Sequence, residues 1–187
     1  MTHDPHGPGQ GHTGKGKGRD SLGKYGYCRT PEHNVQKMKQ PFLIAVIGGR
    51  RAGRSLRKEA EEVGRLIALN GSVLVSGGLH GIMASASKGA KKAGGLTIGI
   101  LPQDHKRNAN PYVDVAIATG LGIGRNVIIA RTADALIAVG GEYGTLSEIA
   151  FGLQMKKPVV GIGTWDIQGI IPAKNAEDAV RKVFELL

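Results

Sequence analysis

A chain of 187 residues with 41% hydrophobic side chains can bury one substantial core, and 30 glycines against 4% aromatics argue for many tight turns rather than a sandwich of large side chains. The single Cys28 excludes an internal disulfide, and no apolar run approaches the roughly 20 residues that span a bilayer, so a soluble, cytoplasmic protein is expected. The formal charge of +10 raises the question of an acidic partner.

Residues 1–40 answer part of that question. They hold His3, His6, His12 and His33 among glycines, prolines and lysines, and seven Lys or Arg stand against Asp4, Asp20 and Glu32. With almost no aliphatic residue before Val35, the segment cannot bury enough apolar surface to offset its ordering entropy. A flexible, basic, solvated tail is expected. The tail thus carries +4 of the net +10, and nucleic acid is not the expected partner.

From Pro41 onward buried strands alternate with amphipathic helices. The run 42–47 reads as a strand covered on both faces and ends in Gly48-Gly49. A helix over 55–69 should follow, with Leu56, Ala60, Val63 and Ile67 on one face and Asn70-Gly71 as its stop. Residues 72–76 form a second strand ending in Gly77-Gly78, residues 81–93 a helix, and residues 96–101 a third strand. Strands over 113–118, 134–139 and 158–162 continue the series, with helices beginning near Arg125, Gly144 and Ala176. This pattern predicts a single α/β domain over 41–187, a doubly wound, Rossmann-like parallel sheet with helices on both faces.

Right-handed crossovers place the C-terminal ends of all the strands along one edge. Gly48-Gly49, Gly77-Gly78, the Gly120, Gly122 and Gly124 series, and Gly140-Gly141 should therefore meet at one crevice. Any one of these turns is explained by tight strand-to-helix geometry alone. Four together point to a ligand site.

The most informative turn is Gly140-Gly141-Glu142-Tyr143-Gly144-Thr145-Leu146-Ser147-Glu148, directly behind the apolar run 135–139. It predicts a helix start whose free N–H groups and dipole hold a phosphate at Gly140, Gly141, Gly144 and Thr145, with the Glu148 carboxylate facing the ligand. The quartet Thr145 to Glu148 also fits a capping box, which would make Glu148 structural. Upstream, Arg125 opens a helix beside Asn126, where a cation opposes the helix dipole. Either an anion removes that conflict or the arginine is solvated. Arg50, Arg51 and Arg54 add charge in the first turn, where Gly48, Gly49 and Arg50 are candidate ligand contacts, as are Gly77, Gly78 and Asn126.

Familiar nucleotide fingerprints fail. Position 50 is Arg, which breaks G-x-G-x-x-G across Gly48, Gly49 and Gly53, and the second strand ends in Ser76 and Gly77 where a ribose-binding acid belongs. No P-loop follows any strand, and no cluster of metal ligands is visible in the domain. A classical dehydrogenase or P-loop NTPase is not expected on these grounds.

Residues 43–162 resemble the Lonely Guy family of cytokinin-activating phosphoribohydrolases, often labelled lysine decarboxylases. The segments that carry the likeness run from Val75 to Met83, from Gly94 to Pro102, and from Arg125 to Glu148. The resemblance implies catalytic roles for Arg125 and Glu148 and at least a homodimer. It implies hydrolysis of the N-glycosidic bond of a nucleoside 5′-monophosphate, with no required cofactor and no metal, an AMP-like nucleotide being the bound ligand. Asn126 stands at the family's lysine, Gly140 at its proline, Glu142 at its second glycine, and Ser147 at the first of its frequent paired glutamates. With Asn110-Pro111-Tyr112-Val113-Asp114 and Thr119-Gly120-Leu121-Gly122, the chain looks more like the sister group that includes the molybdenum cofactor carrier. That likeness implies the alternative, a non-catalytic protein binding molybdenum cofactor or another phosphorylated small molecule.

Overall fold

The computed structural model describes residues 40–187; the tail expected over 1–40 lies, but for Gln40, outside the described residues. Strands β1 (Leu43–Gly48), β2 (Val73–Ser76), β3 (Thr97–Leu101), β4 (Val115–Ala118), β5 (Ala135–Val139), β6 (Val159–Ile162) and β7 (Ile171–Ala173) form one sheet. Every neighbouring pair is parallel, in the order β4-β3-β2-β1-β5-β6-β7. The strands are joined by helices α1 (Arg54–Leu69), α2 (Ile82–Lys92), α3 (Asn126–Thr132) and α4 (Tyr143–Gln154), and α5 (Ala176–Leu186) closes the chain.

Alternate side chains of the central strands feed two cores, as a sheet covered on both faces requires. Ile44, Val46, Leu74 and Ile137 pack with Ala60, Val63 and Ile67 of α1, Ile82 and Ala86 of α2, and Val180 and Val183 of α5. On the opposite face Ala45, Ile47, Val75 and Leu136 pack with Ile129 of α3 and Ile149 of α4. The helix stripe expected over 55–69 is the one that packs, except that Leu56 is only partly buried at its start. No described helix is long and apolar enough to cross a membrane.

Three elements differ from the expectation. Strand β4 begins at Val115 rather than 113, because Val113 N–H turns back to the Asn110 carbonyl and sheet pairing starts only at Ile98 against Val115. The helix expected from Arg125 begins with a 3-10 turn over Gly122–Arg125, followed by α3. Strand β7, three residues long and carrying Pro172, shows too little alternation to be read from the chain and forms the sheet edge beyond β6.

Strand order reverses between β1 and β5, with β2, β3 and β4 on one side and β6 and β7 on the other. That reversal opens a crevice at the strand C-termini, where loops leave in opposite directions. The turn after β5 needs its glycine, since Gly140 has φ of 57° and carries the chain from strand into α4.

Candidate functional site

A cavity of about 420 Å³ sits at this switch point, within the usual size range of small-molecule sites. The β1 to α1 turn supplies Gly48, Gly49 and Arg50, the 3-10 turn and α3 supply Arg125 and Asn126, and α4 supplies Gly144, Thr145 and Glu148.

Glu148 reaches this cavity because of its place on α4. Thr145, Glu148, Ile149 and Gly152 form the buried stripe of that helix, at the spacing of one helical face. The carboxyl is therefore carried inward with the core side chains and is only 6% exposed. The helix begins at Tyr143 after Glu142, which makes Thr145 its third residue rather than its cap. No side chain caps α4, and its first intrahelical bond is from Leu146 N–H to the Glu142 carbonyl. The capping-box reading of Thr145 to Glu148 is thus overturned: the N-cap is Glu142, three residues before Thr145. The contrast is α5, where Asn175 accepts from Asp178 N–H and Asp178 accepts in return from Lys174 N–H.

Arg125 is the partner of Glu148. Its Nη1 donates to Glu148 Oε1 at 3.4 Å, and the arginine is 7% exposed, which removes the solvated reading of this residue. Its guanidinium lies over Gly77, in space that a Cβ at position 77 would take. The Nε hydrogen is buried and has no hydrogen-bond partner. The site therefore holds a desolvated cation with one donor unspent, next to a helix start whose first N–H groups precede the intrahelical ladder.

Burial pushes the Glu148 carboxyl up to about 7, against the pull of Arg125 toward the ionised form. The same burial lowers the affinity of Arg125 for its proton; Glu148 opposes this and the nearby charge of Arg50 adds to it. Two guanidinium groups, Arg50 and Arg125, thus share the wall with two carboxyls, Glu142 and Glu148, the second of them partly neutral near pH 7. The net positive charge favours an anion.

Asn126 has a different task from the one its position suggests. Its Nδ2 donates to the Gly144 carbonyl at 3.2 Å and to Ser147 Oγ at 2.8 Å, while Ser147 Oγ donates to Gly144 at 2.7 Å. Asn126 lines the cavity, yet its donors are spent in tying α3 to the start of α4.

Of the candidate residues, Gly48, Gly49, Arg50, Arg125, Asn126, Gly144, Thr145 and Glu148 come together in the cavity wall. Gly77 lies behind Arg125, and Gly78 packs on Leu101 and Gly99 beneath the wall. Gly140 and Gly141 shape the turn, Gly141 packing against Thr145 and Trp165, rather than lining the cavity. Arg51 and Arg54 are exposed. Sequence reasoning missed Met83, Pro102, Ile123 and Glu142 as wall residues. Pro102 and Glu142 each follow a strand end on the ligand edge, a signal that could have found them; Met83 and Ile123 carry none. Among the described residues no group of three His, Cys, Asp or Glu could hold a metal ion.

Comparison with known proteins agrees with this fold. A solved molybdenum cofactor binding protein from Rippkaea orientalis is 40% identical and superposes with a TM-score of 0.75, covering 80% of this chain and 98% of that one. The molybdenum cofactor carrier protein of Chlamydomonas reinhardtii is 36% identical with a TM-score of 0.71, covering 79% and 98%. A cytokinin riboside 5′-monophosphate phosphoribohydrolase of Mycobacterium tuberculosis is 32% identical over 115 residues, which is 57% of this chain and 62% of that enzyme. The sequence pattern of the SLOG cluster4 family matches residues 41–185, nearly the whole of the described fold, and the chain belongs to that family.

Proposed function

We propose that this protein binds molybdenum cofactor through its phosphate in the cleft between β1 and β5 and carries it without cleaving it. The observation that carries the reading is the buried, partnerless Nε of Arg125 beside the uncapped start of α4. A phosphate there accepts from the guanidinium and from the N–H groups of Gly144 and Thr145, so one group satisfies both sets of donors. The neutral form of Glu148 can donate a hydrogen bond to a ligand oxygen or ring nitrogen. Position 126 supports the same reading, because an asparagine already bonded to α4 offers no free charge to assist a leaving group. The likeness to cofactor-binding proteins also extends over the whole fold, whereas the likeness to the phosphoribohydrolase covers a little over half of the chain.

A second reading rests on Glu148 itself. When ionised, this carboxylate could stabilise the positive charge that builds on a ribose as its N-glycosidic bond breaks, with water adding to the sugar and the base leaving protonated. One pair of assays separates the two. The protein is mixed with molybdenum cofactor and desalted, and molybdenum and pterin are counted; in parallel it is incubated with AMP, and adenine and ribose 5-phosphate are followed by chromatography. Stoichiometric retention of the cofactor without adenine release is expected. Adenine release over many turnovers, with no cofactor retained, would put the hydrolase reading first.

A further inference from the structure

A second cavity, of about 380 Å³, lies on the same edge of the sheet, between the β2 to α2 turn and the loop that leaves β3. Arg50 stands in the walls of both cavities. The rest of the second wall includes His80, Gln103, Arg107 and Asn108, and none of the described residues lining it is acidic.

The loop that forms it is clamped at both ends. Asn110, 2% exposed, donates from Nδ2 to the Leu79 carbonyl at 2.9 Å and from its backbone N–H to the Gly78 carbonyl at 2.8 Å. At the other end Gly120 N–H donates to the Gln103 carbonyl at 2.9 Å. Residues 103–109 are thereby held over the Leu79-His80 turn, and the space between them is a built feature. In its wall, the Gln103 carboxamide oxygen is buried with no hydrogen-bond partner. A buried amide acceptor left open among cations is a group waiting for a polar ligand.

We propose that this cavity is a second subsite that takes the distal nucleotide of a two-part ligand joined by a pyrophosphate. Arg50, reaching both cavities, meets the pyrophosphate; Arg107 and His80 face the distal half, and the carboxamides of Gln103 and Asn108 meet the edge of its base, as such amides do with purines. The proposal rests on the reading that the first cleft takes a phosphorylated ligand, and it extends that ligand from a mononucleotide-sized group to a dinucleotide-sized one. Each cavity is of a size that suits one half.

The test is calorimetric titration of the full chain with two probes, AMP and diadenosine pyrophosphate, in which two adenosines are joined 5′ to 5′. Wild type is expected to bind the dinucleotide at least about tenfold more tightly than AMP, because the second half binds at high effective concentration. The double variant Arg107→Gln with His80→Gln, both exposed positions, is expected to melt like wild type, to keep AMP affinity within about twofold, and to lose the dinucleotide advantage. Equal affinity of wild type for the two probes, or an advantage that survives in the double variant, would overturn the subsite. Binding of neither probe would overturn it as well. Retention of molybdenum cofactor by the same sample then judges the first cleft on its own.

Discussion

The guanidinium of Arg125 rests on the bare backbone of Gly77, in the volume where any other residue would place its Cβ. A glycine at the end of β2 thus sets the height of a cation contributed by a turn nearly fifty residues later. The functional charge is positioned by an absence of side chain.

Gly77→Ala tests that relationship. The added methyl meets the far end of a flexible side chain rather than backbone, so the fold should persist while Arg125 is displaced from beneath the cleft. Affinity for a phosphorylated ligand such as AMP is expected to fall by about 1.5 to 3 kcal/mol, the range for a hydrogen bond to a charged group. Calorimetric titration beside a circular dichroism melt checks it. An unchanged affinity would show that Arg125 does not depend on Gly77.

Burial of Glu148 makes a pH prediction with a definite sign. Its carboxyl holds a proton up to about 7 in the folded chain against an ordinary 4.5, so between those values the folded state binds more protons than the unfolded state. The contribution of this group is therefore most favourable below pH 4.5 and is lost as pH rises to 7, by about 3 kcal/mol at 1.36 kcal/mol per unit. Glu148→Gln removes the titration and keeps an oxygen for Arg125. Urea melts across this range should show the stability of the variant relative to wild type rising with pH. A flat difference would mean that Glu148 is solvated.

Asn126→Ala removes both donors that bind α3 to the first turn of α4. Stability is expected to drop by about 1 to 3 kcal/mol, since the Gly144 carbonyl keeps only Ser147 Oγ of its two side-chain partners. Ligand affinity should fall in parallel, because the helix start loses its tether. Denaturant unfolding with titrations on the same preparation measures both, and a loss of affinity with full stability would instead make Asn126 a direct ligand contact.

The chain displays some of these features and hides others for physical reasons. Runs such as residues 42–47 and 135–139 are buried on both faces, so their apolar continuity is visible without any knowledge of neighbours, and the alternation with helices dictates a parallel sheet. The crevice follows from that topology. The identities of Arg125 and Glu148 also emerge from local pattern and family likeness. Their pairing does not, because it depends on the inward face of α4 and on the space above Gly77, both of which are tertiary. Capping shows the same limit: Thr145 to Glu148 has the right letters, yet the helix begins at Tyr143, whereas Asn175 caps α5 by accepting from Asp178 N–H. Gly140 and Gly141 carry the chain from β5 toward α4 through positive φ.

The most direct test of the central claim is a crystal structure of the protein grown with AMP, a stable phosphate-bearing probe of the cleft. The account expects phosphate oxygens about 2.7 to 3.2 Å from the N–H groups of Gly144 and Thr145 and from the Arg125 guanidinium, with Nε no longer without a partner. Phosphate bound instead to the exposed Arg51 and Arg54, with Arg125 still facing only Glu148, would contradict it.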